Sequence, residues 1–490
     1  MAKITAVIDI GSNSARMVIY EKTSRFTFHM LNETKSKVRI SEDAYKNDGN
    51  LQEEPMQRAY EALCNFLSIA KSYKVRKVLC VATSALRDAP NKSVFLQKIR
   101  KELGLNIKVI NGEKEALFGG IAAANLLPNY QNALTVDIGG GSTEFSIINN
   151  KNVQNPISLN LGAVRLKELF FDKNNIKEAK KYIDNELEKL SFEKIETIIG
   201  IGGSFRSIAS ALMELEGYPF DKIHAYETNI EKFKKLLEDI LDAKDKDLKS
   251  LAIKDERFDV IKPGALILLR IIKKFNIQKL ITSGVGVREG VYLYDLLRTS
   301  NFKFPENFNP SVRYLLDSYV DNKQYSNLLA KVAKEIFDLV SHDLNIPQDY
   351  RYHVALAAKL YPVGASIHYY SKHKHSYYII QAALEYGFTH FDTLLIATLN
   401  RYAKRKLPSK EHYEKYQLLL PEKEILDILS FIVSVSIALL THKPQNKDFS
   451  LSYKDHTLYI LDKGCLRVSQ EAVEKLKFIK SLEIRFVPYK

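Results

Sequence analysis

Short apolar runs, each ending in a glycine-rich segment, recur along the first 300 residues of the sequence. The run at 4–8 leads into DIGSNS at 9–14, and the run at 133–136 leads into DIGGGST at 137–143. Later runs at 197–201 and 279–282 enter GGS and SGVG. A buried strand followed by a glycine turn is typical of loops that hold phosphate through main-chain N–H groups, because glycine reaches positive φ at little cost. The two copies that begin with aspartate predict a duplicated domain.

Helical periodicity separates these runs. Apolar positions repeat on one helix face at 55–73, and charge-rich helices are predicted at 176–190 and 231–247. Strands that alternate with helices indicate an α/β architecture through about residue 300. After a boundary at 299–310 the glycine turns almost vanish, and helical patterns dominate at 326–344, 352–360, 377–386, 393–405 and 424–440. The tail from residue 449 predicts short strands, a helix at 469–480 and a strand near 482–487, which together form a small α+β piece.

Composition narrows the class of protein. The chain has 490 residues, of which 46% are hydrophobic and 27% charged, as in ordinary globular proteins and unlike disordered or fibrous ones. Cys64, Cys80 and Cys465 are far apart, which excludes a disulfide scaffold or a cysteine-rich zinc site and suits a reducing cytosol. The first residues lack the pattern of a signal peptide, and the longest apolar run, 428–440, is shorter than the roughly 20 residues of a membrane span. We therefore expect a cytoplasmic protein with no membrane partner.

The charge balance favours anionic partners. Lysine and arginine total 72 against 58 acidic residues, which gives a net charge of +14. Such a surface attracts polyanions, although a lysine-rich proteome would explain the excess equally well. The sequence has no basic arm, zinc finger or aromatic RNA-stacking signature, so we expect no nucleic-acid partner.

The aspartates that open the two related turns are the strongest chemical signal. Asp9 and Asp137 each end a predicted strand and precede glycines and small hydroxyl residues, so facing loops would clamp a phosphate chain while the aspartates hold Mg²⁺. Two carboxylates are sufficient, because Mg²⁺ keeps most of its waters. The alternative is that both aspartates only accept hydrogen bonds from turn amides.

Three other charged residues are either part of a functional site or ordinary residues of the surface and of helix or strand ends. Glu144 follows Asp137 by seven residues and lies near the start of the next predicted strand. Glu115 lies in the first turn of a predicted helix, where acidic residues usually complement the helix dipole. Arg87 is by default a surface arginine.

The order of the motifs resembles the exopolyphosphatase/guanosine pentaphosphate phosphohydrolase family. The resemblance rests on DIGSNS at 9–14, VATSALRDA at 81–89, NGEKEA at 111–116, DIGGGSTE at 137–144, LGAVRL at 161–166, GIGGS at 200–204 and VREGV at 287–291. It covers the first 300 residues and continues, less sharply, into the helical region. It implies two related α/β domains of the actin-like or ribonuclease-H-like type with a cleft between them, an all-α HD-like domain and the small α+β piece. The expected limits are 1–125, 126–300, 301–445 and 446–490.

The same resemblance implies roles for individual residues. Glu115 matches the glutamate that activates the attacking water, and Glu144 matches its acidic partner near the metal. Asp9, Asp137 and Glu144 are the expected Mg²⁺ ligands. Lys114 stands where many relatives carry a second glutamate. The residues expected to bind substrate are Ser12, Asn13, Ser14, Arg87, Gly139, Gly140, Gly141, Ser142, Arg165, Gly202, Gly203 and Ser204.

The helical region departs from the family pattern. Tyr361 and Pro362 stand where relatives carry a His–acid pair, so we expect no HD metal centre and no second hydrolase centre. The basic residues that remain are either a solvated surface or a channel for the far end of a long polyphosphate. They are His368, Lys372, His373, Lys374, His375, Arg401, Lys404, Arg405 and Lys406.

The leading hypothesis is a Mg²⁺-dependent hydrolase that removes terminal phosphate from inorganic polyphosphate and from guanosine pentaphosphate, by direct attack of water. Guanosine tetraphosphate would be the product of the second reaction, which places the protein in the stringent response. An ATP-dependent kinase of the same fold and a non-catalytic sensor of polyphosphate or of the guanosine nucleotides are the alternatives. Relatives that have the helical region often form dimers, so we expect a homodimer.

Overall fold

The structure is a computed structural model that describes residues 3–192, 194–462 and 466–488. Cys465, one of the three cysteines, lies outside the described residues. The chain divides into two compact units, Met1–Phe308 and Asn309–Lys490, which are described separately. The four domain limits expected from the sequence stay a prediction.

The first unit begins with a mixed sheet of five strands, as far as the described residues extend, in the order β3-β2-β1-β4-β5. β1 pairs with β2 and β2 with β3 in antiparallel fashion, whereas β1–β4 and β4–β5 are parallel. Ala6, Val7, Ile8 and Ile10 of β1 are fully buried, as expected for a strand covered on both faces. The strands are β1 (Lys3–Ile10), β2 (Ala15–Lys22), β3 (Phe28–Ser36), β4 (Lys77–Ala82) and β5 (Lys108–Val109).

A second sheet in the same unit repeats this arrangement. Its order is β10-β11-β9-β6-β7-β8, so β6, β7, β8, β9 and β11 correspond to β1, β2, β3, β4 and β5, and β10 adds an antiparallel edge. The prediction of two related α/β domains of the actin-like type is therefore confirmed. The strands are β6 (Ala133–Ile138), β7 (Thr143–Asn149), β8 (Asn152–Leu159), β9 (Thr197–Ile201), β10 (Tyr226–Asn229) and β11 (Lys279–Thr282).

Helices cover both sheets, including those predicted at 55–73 and 176–190. The helix predicted at 231–247 ends at Asp242, and a 3₁₀ segment, Asp245–Leu251, follows it. The helices of this unit are α1 (Glu53–Ser72), α2 (Ser84–Asp88), α3 (Lys92–Leu103), α4 (Gly112–Leu126), α5 (Ala163–Leu169), α6 (Ile176–Leu187), α7 (Gly202–Leu215), α8 (Ile230–Asp242), α9 (Phe258–Phe275) and α10 (Val287–Leu296).

Helices α4 and α10 cross between the two halves of the unit. α4 packs on β7 and β8 of the second sheet, whereas α10 contacts β1 of the first sheet and also packs against α4. The crossing is close, because a Cβ atom at Gly290 would lie 1.9 Å from the carbonyl oxygen of Phe118. Tyr292 of α10 stacks on Tyr20 of β2, with ring centres 4.4 Å apart. Glu115, on α4, is therefore held against the second sheet.

The second unit is largely helical and ends in a small sheet, as predicted. The sheet has the order β12-β13-β14, and its strands are β12 (Phe449–Lys454), β13 (Thr457–Asp462) and β14 (Glu483–Pro488). The helix predicted at 469–480 is α18 and already ends at Glu474. The helices are α11 (Pro310–Tyr319), α12 (Lys323–Val340), α13 (Tyr350–Leu360), α14 (Lys372–Ala383), α15 (His390–Tyr402), α16 (Lys410–Tyr416), α17 (Lys423–Leu439) and α18 (Arg467–Glu474).

The apolar run at 428–440 forms most of α17 and its C-cap, and all of its side chains are buried within this unit. The run is therefore a core helix, as its length predicted. In the described part of the chain, no helix combines the length and the apolar character that crossing a membrane requires.

Candidate active site between two related hairpins

Two hairpins present the predicted phosphate loops. In the β1–β2 pair Asp9 lies opposite Arg16, and in the β6–β7 pair Asp137 lies opposite Glu144. The turns close in the same way, because the N–H of Gly11 donates to the Ser14 carbonyl at 3.1 Å and that of Gly139 donates to the Ser142 carbonyl at 2.9 Å. The duplication seen in the sheets thus extends to the turns.

The hairpin tips meet at a small cleft. A Cβ atom at Gly140 would lie 2.7 Å from the Cβ of Ser12, so glycine is required where the tips approach each other. The cleft has a volume of about 160 Å³. The predicted residues that line it are Asp9, Ser12, Asn13, Ser14, Glu115, Asp137, Gly139, Gly140, Gly202, Gly203 and Ser204.

The other predicted residues lie behind this lining. Arg165 donates from Nε to the Gly141 carbonyl at 2.8 Å and from Nη2 to Asp88 Oδ2 at 2.9 Å, so it fixes the turn of the second hairpin. Gly141 packs against Ser84 of α2, where a Cβ atom would lie 2.7 Å from the serine Oγ. Arg87, Ser142 and Glu144 form the polar layer next to Glu115.

Hydrogen bonds connect this layer to Glu115 and hold its members together. Arg87 donates from Nη1 to Glu115 Oε2 at 2.8 Å and from Nη2 to Ser142 Oγ at 3.3 Å. The Ser158 hydroxyl donates to Glu144 Oε1 at 2.8 Å. Both glutamates are buried, at 8% and 3% exposure, although a carboxylate is rarely buried without a partner. Two buried carboxyl groups, those of Glu115 and Glu144, thus interact with one guanidinium, that of Arg87, beside the cleft.

Burial sets the protonation of these carboxyls. It raises the pKa of Glu115 well above its ordinary value; repulsion from Glu144 raises it further, and the Arg87 guanidinium opposes both effects. Burial and the charge of Asp137 raise the pKa of Glu144 to about 7. A carboxyl whose pKa is raised toward neutrality is suited to accept a proton from water.

The two strand-end aspartates are also buried. Burial raises the pKa of Asp9, against the attraction of Arg288 and Arg16, and raises that of Asp137 to about 6. Asp9 Oδ1 is buried and has no hydrogen-bond partner. Such an orphaned carboxylate oxygen beside a phosphate-sized cleft fits a hard divalent cation.

The aspartates do not form a closed protein cage. No group of three or more His, Cys, Asp and Glu side chains within residues 3–192, 194–462 and 466–488 is arranged to hold a metal ion by itself. This donor set suits Mg²⁺, which takes few carboxylates and completes its shell with water and phosphate oxygens.

The predicted turn at 202–204 is instead the first turn of helix α7. Gly202 has φ +90, and a Cβ atom there would lie 2.5 Å from Asp137 Oδ1, so only glycine fits beside this carboxylate. The first N–H groups of a helix have no intrahelical acceptor and favour anions. The strand-to-helix junction therefore presents donors to the cleft, as the predicted turn would have done.

Four arginines that we did not predict also line the cleft. Arg206 is held by its Nε, which donates to the Gly202 carbonyl at 3.1 Å, and burial lowers its pKa to about 10. Arg288 donates from Nη1 to Glu33 Oε1 at 2.6 Å. The sequence does contain signals for two of them. Arg288 lies in the VREGV motif, and Arg16 follows Asp9 by seven residues, as Glu144 follows Asp137. The four are Arg16, Arg206, Arg257 and Arg288.

Family models match most of the chain. The model of the Ppx/GppA phosphatase family matches residues 18–299, and that of Ppx/GppA phosphatase domain III matches residues 309–476. A guanosine-5'-triphosphate,3'-diphosphate pyrophosphatase of Photobacterium profundum is 26% identical over 94% of this chain and 92% of its own length. A bifunctional 3-dehydroquinate synthase/phosphatase of Fusobacterium nucleatum is 34% identical over 57% of this chain. The matched region is only 45% of the length of that relative.

Solved structures agree with the first unit. A crystal structure of the Ppx/GppA family member of Aquifex aeolicus is 30% identical, with a TM-score of 0.53, over 61% of this chain and 99% of that one. An exopolyphosphatase from Cytophaga hutchinsonii, 24% identical over 62% of this chain and 100% of its own, has a TM-score of 0.56 and shares the fold. With matching models over both the duplicated α/β unit and the helical unit, the chain belongs to the Ppx/GppA phosphatase family.

Proposed function

We propose that this protein is a Mg²⁺-dependent phosphoanhydride hydrolase that releases orthophosphate from the end of inorganic polyphosphate and from the 5′ end of guanosine pentaphosphate. The single observation that carries the proposal is the buried Glu115 at the cleft, paired with Arg87 and close enough to Glu144 for their charges to interact. The family supports a phosphatase, and the name of the Photobacterium profundum relative supports the guanosine substrate.

The chain's own residues divide the work of the reaction. Glu115 accepts a proton from a water whose oxygen attacks the terminal phosphorus. The bond from that phosphorus to the bridging oxygen breaks, so orthophosphate leaves and the shortened chain keeps the oxygen. Turn amides and the arginines of the cleft neutralise the charge that develops, and Arg87 orients Glu115. Because water is the acceptor, no covalent intermediate forms.

Asp9 and Asp137 would hold the Mg²⁺ ion, with Glu144 nearby. The bound ion would supply charge neutralisation at the phosphate oxygens. The unpartnered Oδ1 atom of Asp9 supports this assignment.

The direct test is phosphate release from polyphosphate and Mg²⁺ without nucleotide. We expect release that EDTA abolishes and that Glu115→Gln lowers by about 10²–10⁴-fold, the range for loss of a general base. Glu113→Gln is the matched control, because Glu113 lies in the same helical turn and is exposed. Phosphate transfer that appears only with ATP would indicate a kinase, and tight binding without turnover would indicate a sensor.

A homodimer and a cytoplasmic location are further proposals that rest on the family resemblance. Sedimentation of the purified chain tests the first, and fractionation of cells that express it tests the second.

A further inference from the structure

A second cavity, of about 330 Å³, lies entirely within the helical unit. We call it the tyrosine–lysine cavity. Its lining combines three kinds of side chain: aromatic rings, cations and small or apolar groups. The rings are Tyr325, Tyr361, Tyr369 and Tyr370; the cations are Lys372, Lys404, Arg405, Lys443 and Lys475; and the apolar wall includes Ala403, Ile437, Ala438 and Leu476.

The cations of the tyrosine–lysine cavity are held against the rings. Lys372 Nζ lies 5.0 Å from the centre of the Tyr361 ring and 4.8 Å from that of Tyr369. Lys443 Nζ lies 5.5 Å from the same Tyr369 ring and 6.0 Å from that of Tyr325. Two ammonium groups thus share one ring, an arrangement that stabilises each of them only modestly.

These cations lack anionic partners. Across the described ranges, no carboxylate pairs with Lys372, Arg405 or Lys443. Lys404 donates only to the Tyr370 carbonyl, at 3.1 Å. The one acidic residue among the described residues of the lining, Glu471, already lies 3.4 Å from Arg467. Burial, Lys443 and Lys404 all lower the pKa of Lys372, so an anion bound here would relieve repulsion among the lysines.

The apolar and aromatic wall indicates what else the ligand carries. A bare phosphate chain makes no use of Ile437, Leu476 or a tyrosine face, whereas a nucleobase stacks on such surfaces. The Tyr369 ring already carries the two lysines, whereas Tyr370 is 76% exposed and carries neither of them, so the Tyr370 ring is available to a ligand. The volume lies within the range of small-ligand pockets.

We propose that the tyrosine–lysine cavity binds a nucleoside polyphosphate, with its base against the tyrosines and its phosphates on the lysines. Every residue of its lining belongs to the second unit, and the proposal does not depend on the activity proposed for the first unit. It also accounts for part of the basic stretch: Lys372, Lys404 and Arg405 line the cavity, whereas Lys374 does not.

The chain has no tryptophan, so one substitution provides a local reporter. Tyr370→Trp places the fluorophore on the cavity wall. Tyr352→Trp is the matched control, because Tyr352 is 52% exposed and lies outside the lining. It precedes Tyr361 by nine residues, about 14 Å along the helix axis. GTP, ATP and inorganic tripolyphosphate are each titrated into the full chain in EDTA, so that no phosphate is released.

We expect GTP and ATP to change the emission of Tyr370→Trp to saturation and to leave Tyr352→Trp unchanged. Tripolyphosphate, which has the same phosphates and no base, should bind at least about tenfold more weakly, because base stacking on an aromatic ring is lost. Adding Lys372→Gln and Lys443→Gln should weaken GTP binding by about tenfold or more. Equal affinity for tripolyphosphate, equal responses at the two positions, or no response would each overturn the proposal.

Hydrogen exchange on the unaltered chain gives an independent measurement. GTP should protect the segment 361–372, and the Lys372→Gln, Lys443→Gln variant should lose that protection. Exchange that GTP leaves unchanged across this segment would also overturn the proposal.

Discussion

Glu144 occupies in the second hairpin the position that Arg16 occupies in the first. Each residue lies directly opposite the aspartate that ends the preceding strand, Asp9 for Arg16 and Asp137 for Glu144. Two copies of one hairpin thus carry opposite charges at the equivalent site. The first copy presents a cation to the cleft, whereas the second sets a carboxyl beside Glu115.

This difference predicts that substitutions at the two positions affect different kinetic constants. Arg16→Met removes a cation from the lining of the cleft and should raise KM for polyphosphate by about tenfold, with a much smaller effect on kcat. Glu144→Gln should lower kcat by about 10²-fold and change KM little, because Glu144 acts on the carboxyl that accepts the proton. Steady-state kinetics with polyphosphate of one length measures both, and the exposed Arg100→Met is the control. A loss confined to kcat in Arg16→Met would contradict the assignment.

The raised pKa of Glu144, about 7, predicts a dependence of stability on pH. The folded protein keeps this proton up to about pH 7, whereas the unfolded chain releases it near the ordinary value of about 4.3. Between these two pH values the folded state binds more protons, so the contribution of Glu144 to stability falls as the pH rises.

Glu144→Gln keeps this position uncharged at every pH. In EDTA, its melting temperature should therefore exceed that of the parent protein at pH 8, by about 1–2 °C for each kcal/mol of added stability, and the difference should shrink toward pH 4.5. Differential scanning fluorimetry across this range measures it. A difference that does not change with pH would show that Glu144 does not titrate in the folded protein.

Arg87 is predicted to set the working pH of Glu115. The guanidinium lowers the pKa of that carboxyl, so Arg87→Met should raise it and keep Glu115 protonated to higher pH. The acidic limb of the kcat/KM profile should then move up by at least about one pH unit. Arg87→Lys keeps the charge and should move the limb less. Identical profiles for the two variants would mean that the charge of Arg87 does not act on Glu115.

The crossing of α4 and α10 predicts a stability effect at Gly290. An added methyl group there meets the Phe118 carbonyl oxygen, so Gly290→Ala should destabilise the protein by about 1–3 kcal/mol. Gly119→Ala, on the partner helix, meets only Ile201 Cδ1 at 3.5 Å and should be neutral or stabilising, since alanine favours helix more than glycine. Chemical denaturation measures both, and equal stability of the two variants would contradict the close approach.

The hairpins were predictable because their signal is local. Asp9 and Asp137 each follow an apolar run and precede glycines, so strand, turn and carboxylate lie within a dozen residues of one another. The ends of the helices were less predictable than the hairpins. The helix predicted from 469 to 480 begins at Arg467 and ends at Glu474, and the sequence pattern carries no glycine or proline signal at that end.

The arginines of the cleft show what the sequence alone does not reveal. Arg206 lies in α7, two residues after the GGS segment, and Arg257 directly precedes α9 beside the acidic Glu256; neither local sequence shows that the side chain enters the cleft. Only the folded chain brings them to the hairpin tips. At 202–204, strand, glycines and serine read as a turn, and the sequence does not reveal that a helix begins there, because both structures accept the same residues.

The crossed helices determine which groups move together. α4 carries Glu115 and rests on the sheet that holds Glu144, whereas α10 carries Arg288 and rests on the sheet that holds Asp9. A rotation of one sheet away from the other would therefore keep the two glutamates together while it parts Asp9 from Asp137. Such a motion would control the binding of the cation and the phosphate. The arrangement of the two glutamates would stay the same in the open and the closed cleft.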